Sequence, residues 1–212
     1  PAGGVRAEVR RADGRRSRRL RRPMGFAEER GVTLDPGVGT GTYLLGVIEH
    51  ALEKVEAQEG AGAVPGRAGR LARNLYGFEF MVGPFAVSQL RVSRALEDRG
   101  AELPEGGPHV YLTDTLESPH AEPPQLPLWL APISDQHRKA LRVKESVPVI
   151  VCLGNPPYDR HDAVSKIGKA RAGGWVRWGE TQQGEGLGDC TGAILDDFIR
   201  PAIDAGHGGH VK

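Results

Sequence analysis

Two short segments of this 212-residue chain carry residue types that could do chemistry together. The first, residues 34–41, reads Leu-Asp-Pro-Gly-Val-Gly-Thr-Gly, and the second, residues 155–158, reads Asn-Pro-Pro-Tyr. A glycine-rich loop between an apolar stretch and a helical pattern is typical of a nucleotide-cofactor site. The second segment offers two hydrogen-bond acceptors on a stiff loop, which suits a planar amine or amide. Together the two segments predict a group-transfer site.

The glycine loop narrows the kind of cofactor. Its glycines let the backbone turn tightly and approach a ligand closely, although such loops also serve NAD-binding folds and plain turns. No Lys-Ser or Lys-Thr pair follows the loop, so it is not a phosphate loop. Asp35 and Pro36 stand in front of the glycines. A cofactor with an amino-acid tail and no pyrophosphate would tolerate this acidic residue, and Asp35 could help to hold the ammonium group of that tail.

The Asn-Pro-Pro-Tyr segment could activate a weakly nucleophilic amino group. The side-chain oxygen of Asn155 and the carbonyl of Pro156 could bind the two amino hydrogens and favour a pyramidal nitrogen. Pro156 and Pro157 would keep these acceptors in place. Tyr158 offers an aromatic face on which the planar group that bears this amine could stack, an interaction of roughly 1–3 kcal/mol. The alternative is a rigid turn after a strand.

The elements around these segments alternate between strand and helix. Apolar runs predict strands at residues 32–34, 75–80, 109–116 and 147–153, the last as a central strand. Helices are predicted at residues 42–56, 134–144 and 194–203. A further helix is predicted around Pro84, where Val82, Ala86 and Leu90 recur every four residues. A Gly/Ala-rich linker at 58–70 and a loop at 118–132 are expected between these elements. This alternation predicts an α/β fold with a mostly parallel sheet. Ligands of such sheets bind at the carboxyl ends of the strands, where the candidate residues Asp35, Glu79, Asp114 and Asn155 fall.

Three further segments extend the pattern into a family resemblance: Tyr-Gly-Phe-Glu-Phe at 76–80, Val-Tyr-Leu-Thr-Asp-Thr-Leu-Glu at 110–117 and Val-Ile-Val-Cys-Leu-Gly at 149–154. With the two segments above they resemble the amino-methyltransferases that move a methyl group from S-adenosylmethionine to adenine N6 in DNA. The chain is most similar to the methyltransferase part of type ISP restriction-modification enzymes, over about residues 33–203. The resemblance implies a Rossmann-like methyltransferase sheet, incomplete in this chain, with S-adenosylmethionine as cofactor and DNA as partner.

The resemblance also implies roles for individual residues. Glu79 would accept hydrogen bonds from both ribose hydroxyls, with a plain solvent-exposed position as the alternative. Asp114 would accept from the adenine amino group of the cofactor, with turn chemistry as the alternative. Val38 departs from the family, which more usually has a small or polar residue there. The full set implied for the cofactor is Asp35, Pro36, Gly37, Gly39, Thr40, Gly41, Glu79, Phe80 and Asp114, and the catalytic set is Asn155, Pro156, Pro157 and Tyr158; no metal site is expected.

The first 30 residues differ in composition from the rest. Nine arginines crowd residues 1–22 against two acidic residues, although the net charge of the whole chain is only +1. Such a block predicts a disordered, solvated segment, with a phosphate-contacting arm as the alternative. Residues 31–212 then form a partial methyltransferase domain. The chain starts at Pro1, which suggests a fragment whose parent supplies target-recognition and helicase or nuclease regions.

The cysteine content and hydropathy indicate the compartment. Cys152 and Cys190 are the two cysteines of the chain, and Cys152 falls within a predicted strand, which argues against a disulfide framework. No stretch approaches the roughly 18 apolar residues of a membrane span. A reducing cytoplasm is therefore expected, within a restriction-modification system. The same tetrad could instead grip a glutamine amide in a protein or an amino group in RNA. A non-catalytic remnant that only binds cofactor is the alternative from a different class.

Overall fold

A computed structural model of the chain describes residues 2–19, 21–29, 31–117, 127 and 131–155. Apart from residues 116 and 117, these belong to one compact unit made of residues 1–115 and 123–157. Within that unit the elements follow in the order α1 (Ala2–Arg19), β1 (Thr33–Asp35), α2 (Thr42–Glu59), α3 (Val64–Asn74), β2 (Leu75–Glu79), α4 (Val82–Glu97), β3 (His109–Leu112), α5 (Ala131–Ser146) and β4 (Val151–Cys152). No helix in the described ranges is long and apolar enough to cross a membrane.

The described strands form one parallel sheet in the order β3-β2-β1-β4. Thr33 of β1 lies opposite Leu75 on one side and Val151 on the other, and Tyr76 lies opposite His109. The prediction of a Rossmann-like α/β fold with a parallel sheet is confirmed. Because every strand runs the same way, the loops after all of them lie at one edge.

Helix α2 follows the glycine loop, as the sequence predicts. It begins at Thr42, directly after Gly41, and ends at Glu59 before Gly60, whose φ of 86° stops the helix. Leu44, Ile48 and Leu52 are almost completely buried and form the centre of the larger core cluster. Burial of each such side chain stabilises the fold by about 1.5–3 kcal/mol.

Helix α3 replaces the linker predicted at residues 58–70, so that prediction is wrong. The helix spans Val64–Asn74 and places Pro65 in its first turn, where the missing N–H has no helical partner to lose. Val64, Ala68 and Leu71 recur at helical spacing and are buried. The buried apolar face of α3, and not the glycines of this segment, holds the helix against the core: an added Cβ on Gly62 or Gly66 would meet no atom within 4 Å.

Helix α4 is confirmed, but its apolar spacing does not mark the buried face. Val82 and Leu90 are 62% and 72% exposed, whereas the buried residues are Ser88, Val92 and Leu96. A Cβ placed on Gly41 would lie 3.3 Å from Val92 and 3.5 Å from the Cβ of Ser88. The small Ser88 therefore lets α4 approach the glycine loop, and this contact decides which face is buried.

The later elements differ from the prediction mainly in length. Strand β3 ends at Leu112 rather than at residue 116, and β4 is limited to Val151–Cys152. Leu153 N–H still donates to the Leu34 carbonyl at 2.9 Å. Among the described strands β4 pairs only with β1, so the predicted central position is not seen there. Helix α5 covers the predicted residues 134–144 and also takes in the last residues of the predicted loop, whereas the helix at 194–203 lies outside the described residues.

Helix α1 overturns the prediction of a disordered segment at the start of the chain. Val9, Asp13 and Arg16 point inward and are buried, although the helix as a whole is highly charged. The Asp13 carboxylate accepts hydrogen bonds from Lys54 Nζ at 2.8 Å and from the Phe26 N–H at 3.0 Å. The inward-facing charges are paired or packed by residues far along the chain, which composition alone does not reveal.

The Asp13 carboxylate should stabilise the fold at neutral pH. Burial raises its pKa, but His50, Lys54 and the Phe26 N–H lower it more, to about 2. This contribution is complete above the ordinary pKa near 4 and is lost as pH falls towards 2. We expect Asp13→Asn to lower the free energy of unfolding by about 2 kcal/mol at pH 7 and by much less at the lowest pH, as measured by urea unfolding.

The matched control is Asp98→Asn on the surface of the same unit. The Asp98 side chain is 57% exposed and pairs with Arg94 one turn earlier. Loss of this exposed ion pair in Asp98→Asn should change the free energy of unfolding by less than about 0.5 kcal/mol. Equal effects of the two substitutions at pH 7 would contradict the role given to Asp13.

Candidate functional site

The candidate site lies at the carboxyl edge of the sheet. Asp35 and Glu79 are the last residues of β1 and β2, Asp114 follows the end of β3, and Asn155 follows the end of β4. The parallel register brings these four positions to the same edge. Backbone contacts between the loops then determine how each residue is held.

The glycine loop is held by the core on the side of Val38 and is open on the side of Gly39. Val38 N–H donates to the Phe78 carbonyl at 2.9 Å, and the Val38 side chain is buried against Gly77. Val38 therefore packs into the core. Gly39 has a φ of 53°, and no atom lies within 4 Å of the place where its Cβ would be. The loop thus leaves space above Gly39 that a ligand could occupy.

Thr40 is the part of the loop that is tied to α4. Arg91 donates from one guanidinium nitrogen to the Thr40 carbonyl at 2.7 Å and to its hydroxyl at 3.2 Å. The carbonyl and hydroxyl of Thr40 are therefore already engaged by the protein. Its place in the cofactor set stays a prediction.

Glu79 bridges two loops through its carboxylate. One oxygen accepts the Gly39 N–H at 2.8 Å, and the other accepts the Met81 N–H at 2.8 Å. The Glu79 carbonyl also accepts the Thr113 N–H at 2.8 Å. Glu79 is thus held in place by backbone donors and is not simply solvated. The next residue, Phe80, is 74% exposed, so its ring is accessible at this edge.

Asp35 is buried beneath the glycine loop. One of its oxygens accepts the Gly37 N–H at 3.1 Å, while Oδ2 has no hydrogen-bond partner in the described ranges. Burial raises the pKa of Asp35 to about 6; the Gly37 N–H opposes this shift and the Glu79 carboxylate adds to it. The site therefore holds a buried carboxylate, and its negative charge favours a positively charged group at the loop above it.

Asn155 directly follows Gly154, the residue that packs against this carboxylate. A Cβ on Gly154 would lie 2.3 Å from Asp35 Oδ1, so only glycine allows the end of β4 to pack against Asp35. Asn155 is exposed and follows directly. Pro156, Pro157 and Tyr158 lie outside the described residues, so the rest of the predicted grip stays a prediction.

The segment after β3 is tied to the glycine loop by contacts that the sequence does not predict. The Thr115 hydroxyl donates to the Pro36 carbonyl, and Lys144 of α5 donates to the Asp114 carbonyl at 2.6 Å. Thr115 belongs to a segment of the family resemblance, but its partner is 79 residues away along the chain. Nothing in the pattern around Lys144 distinguishes it from other residues of a helix end.

Comparison with known proteins places this arrangement in a structural context. No protein-family model and no curated protein match the chain. Among solved structures, the ATP-dependent type ISP restriction-modification enzyme LlaBIII bound to DNA is similar with a TM-score of 0.61 and 21% identity, over 78% of this chain. A nuclease-deletion mutant of the type ISP enzyme LlaGI with a DNA substrate mimic has a TM-score of 0.55 at 20% identity over 73%, and a DrdV–DNA complex has 0.56 at 19% over 77%.

The similarity concerns a small part of each of those proteins. The chain matches 10% of the LlaBIII chain, 12% of the LlaGI chain and 14% of the DrdV chain. At these identities the comparisons establish the shared fold. The functions of the neighbours bear on this chain only through the residues at the site.

The contact between Gly154 and Asp35 predicts a sharp effect of one methyl group. Gly154→Ala should lower the free energy of unfolding by about 1–3 kcal/mol because its Cβ overlaps the buried carboxylate. The control is Gly66→Ala in α3, where no atom lies within 4 Å of the added Cβ. That change should be neutral or stabilising by up to about 1 kcal/mol. Urea unfolding at pH 7 separates the two outcomes, and a neutral Gly154→Ala would refute the contact.

The buried Asp35 predicts a fall in stability as the pH rises. Its folded pKa of about 6 lies above the ordinary value of 3.8, so the folded state loses stability as pH rises through this interval. The loss should be about 2–3 kcal/mol. Asp35→Asn should remove this dependence and be more stable than the native chain at pH 7. Thermal unfolding between the two pKa values and at pH 7 tests this, and identical pH profiles would contradict it.

Proposed function

We propose that this chain is the catalytic core of an S-adenosylmethionine-dependent DNA adenine-N6 methyltransferase of a restriction-modification system. The observation that carries the proposal is the pair of carboxylates at the glycine loop. Glu79 binds the Gly39 N–H, and Asp35 lies buried below the same loop. Two acidic groups at this point favour a cofactor that brings positive charge and no phosphate.

The donor pattern argues against a pyrophosphate cofactor. Dinucleotide sites offer loop N–H groups and the N-terminus of a helix to a pyrophosphate. Here the Gly39 N–H already donates to a carboxylate at 2.8 Å, and that negative charge would repel a phosphate. NAD-type binding is therefore disfavoured at this loop.

The residues present fit S-adenosylmethionine. Asp35 Oδ2 lacks a partner in the described part of the chain and is buried below the loop, so the Asp35 carboxylate would attract the ammonium group of the amino-acid tail by its charge. Remaining lone pairs on the Glu79 oxygens could accept from ribose hydroxyls. Phe80 could stack on the adenine ring, and Asp114 could accept from its amino group. When bound, the cofactor supplies a methyl group activated by a sulfonium.

The role of Asn155 follows from its acceptor oxygen. Its side-chain oxygen would accept one hydrogen of the target amino group, and the Pro156 carbonyl would accept the other. These acceptors localise the nitrogen lone pair and orient it for attack. Tyr158 would hold the flipped base by stacking. No residue of this chain needs to form a covalent intermediate.

The structural neighbours support DNA as the partner. Two of them are type ISP restriction-modification enzymes, and all three were solved with DNA or a DNA mimic. Because this chain matches only a tenth to a seventh of each, the target-recognition, helicase or nuclease regions would be supplied by a longer parent protein. Such a system acts on DNA in the cytoplasm.

Cofactor binding is the first test. Calorimetric titration should show binding of S-adenosylmethionine and S-adenosylhomocysteine and none of NAD. Glu79→Gln should weaken binding at least about tenfold, because the carboxylate that holds the loop and accepts from the ribose is lost. Asp98→Asn is the control and should bind normally. Tight binding of NAD alone would refute the assignment.

Methyl transfer tests the role of Asn155. In the parent protein, Asn155→Ala should lower the rate of adenine-N6 methylation of duplex DNA by about 100-fold or more while cofactor affinity stays within about twofold. Mass spectrometry of the digested DNA measures the product. Near-normal transfer by the variant would contradict the mechanism, and transfer to a glutamine peptide or RNA but not to DNA would reassign the substrate.

A further inference from the structure

A cleft is lined by helix α1 on one side and by β4 and its neighbouring residues on the other. Its volume is about 580 Å³, and its wall on the β4 side consists of residues 150–153. The opposite wall is contributed by α1 and contains four arginines and one glutamate: Arg11, Arg15, Arg16, Arg19 and Glu8, together with Ala12. The cleft is distinct from the glycine loop, and the methyl-transfer mechanism does not use it.

Three of the arginines form a regular row. Arg11, Arg15 and Arg19, here called the arginine row, are exposed and recur every four residues on one face of α1. Each step advances by roughly 6 Å along the helix axis, so the row spans roughly 12 Å. In the described ranges none of the three takes part in a salt bridge. Among the described lining residues Glu8 is the one carboxylate, and it already accepts the Tyr43 hydroxyl.

The fourth arginine lies behind the row. Arg16 is 2% exposed, donates to the Thr33 hydroxyl at 3.2 Å and stacks over the Phe26 ring at 4.9 Å. Its Nε and Nη2 have no hydrogen-bond partner within the described ranges. A buried guanidinium with unused donors strengthens the positive potential of the cleft and favours an anionic occupant.

The cleft leads to the candidate catalytic edge. Leu153 lines it, and Asn155 follows two residues later, within about 7 Å along the chain. An anion held along α1 would therefore lie beside the residue proposed to grip the target base. This position favours a nucleic-acid strand over an unrelated acidic ligand.

We propose that this cleft binds the phosphodiester backbone of the DNA strand whose adenine reaches Asn155. The proposal rests on the proposed function for the identity of the base. A DNA strand carries one phosphate per about 3.4 Å of helix axis, so a row of roughly 12 Å faces three to four successive phosphates. Guanidinium groups suit this task because they bind phosphate oxygens in a bidentate manner.

The test is the salt dependence of DNA binding by the full chain. Fluorescence anisotropy with a labelled duplex and with its single strand gives the dissociation constant at several salt concentrations. The triple variant Arg11→Gln, Arg15→Gln, Arg19→Gln should bind at least about tenfold more weakly at low salt, and the slope of log K against log salt should flatten by about 2–3. The charge-preserving triple of Arg→Lys at the same positions should retain most of the affinity.

A matched control removes the same charge elsewhere. Arg70, Arg73 and Arg94 are exposed on α3 and α4. Their triple Gln variant should keep the slope and affinity of the native chain. If both Gln triples lost the same DNA affinity, the effect would follow the net charge of the chain rather than the cleft, and the proposal would be overturned. Circular dichroism and thermal unfolding establish that each variant is folded, and the Arg→Lys triple remains informative if the Gln triple is not.

Two further outcomes are decisive. A polyglutamate peptide that competes as well as DNA would assign the cleft to an acidic protein segment and overturn the proposal. Cofactor titration of the arginine-row variants separates this proposal from the function: normal S-adenosylmethionine binding with selective loss of DNA affinity supports both. Loss of DNA affinity in a chain that never binds the cofactor supports the cleft but refutes the methyltransferase assignment. If the chain binds the cofactor but the arginine-row variants keep the native DNA affinity, the methyltransferase assignment is supported and the cleft proposal is refuted.

Discussion

The hydrogen bond from the Gly39 N–H to the Glu79 carboxylate joins the two loops on which the whole candidate site depends. It spans 40 residues of sequence and 2.8 Å of space. The parallel pairing of β1 and β2 makes it possible, because both strands end at the same edge. The second oxygen of Glu79 binds the Met81 N–H, so one side chain fixes both the glycine loop and the start of α4. One side chain thus holds together the two loops at this edge, and with Asp35 it makes the edge negatively charged.

The site is arranged at a cost in stability. Asp35 is completely buried with one unpartnered oxygen in the described part of the chain, and burial raises its pKa to about 6. Isolated buried carboxylates destabilise a fold unless a donor or a positive charge compensates them. Gly154 leaves space for this carboxylate, and its contact with Asp35 also determines where the chain continues into Asn155. A buried carboxylate with a raised pKa at the end of a strand is typical of a functional site.

Helix α1 shows how one charged segment serves two purposes. Asp13 and Arg16 face inward, where Lys54, Phe26 and Thr33 pair with them or cover them. Arg11, Arg15 and Arg19 remain exposed and make another face of the helix strongly positive. The helical period of 3.6 residues separates these two sets, since residues four apart share a face. A segment of uniform composition therefore has one face that packs against the rest of the fold and another face that is basic and exposed.

The sequence by itself determined the features that depend on local pattern. The alternation of strands and helices, the parallel sheet and helix α2 follow from apolar spacing and from glycines at the ends of elements, which act within a few residues. Tertiary structure decided the rest. Helix α1 is held in place because Asp13 binds Lys54, 41 residues later in the chain. Helix α3 forms where Val64, Ala68 and Leu71 are buried in the core. Helix α4 buries Ser88 rather than Val82 because Gly41 lies against Ser88. The contacts of Thr115 with Pro36 and of Lys144 with Asp114 likewise join distant segments. Such contacts leave no periodic signal in the chain, because their energy arises only when the sheet has brought the partners together.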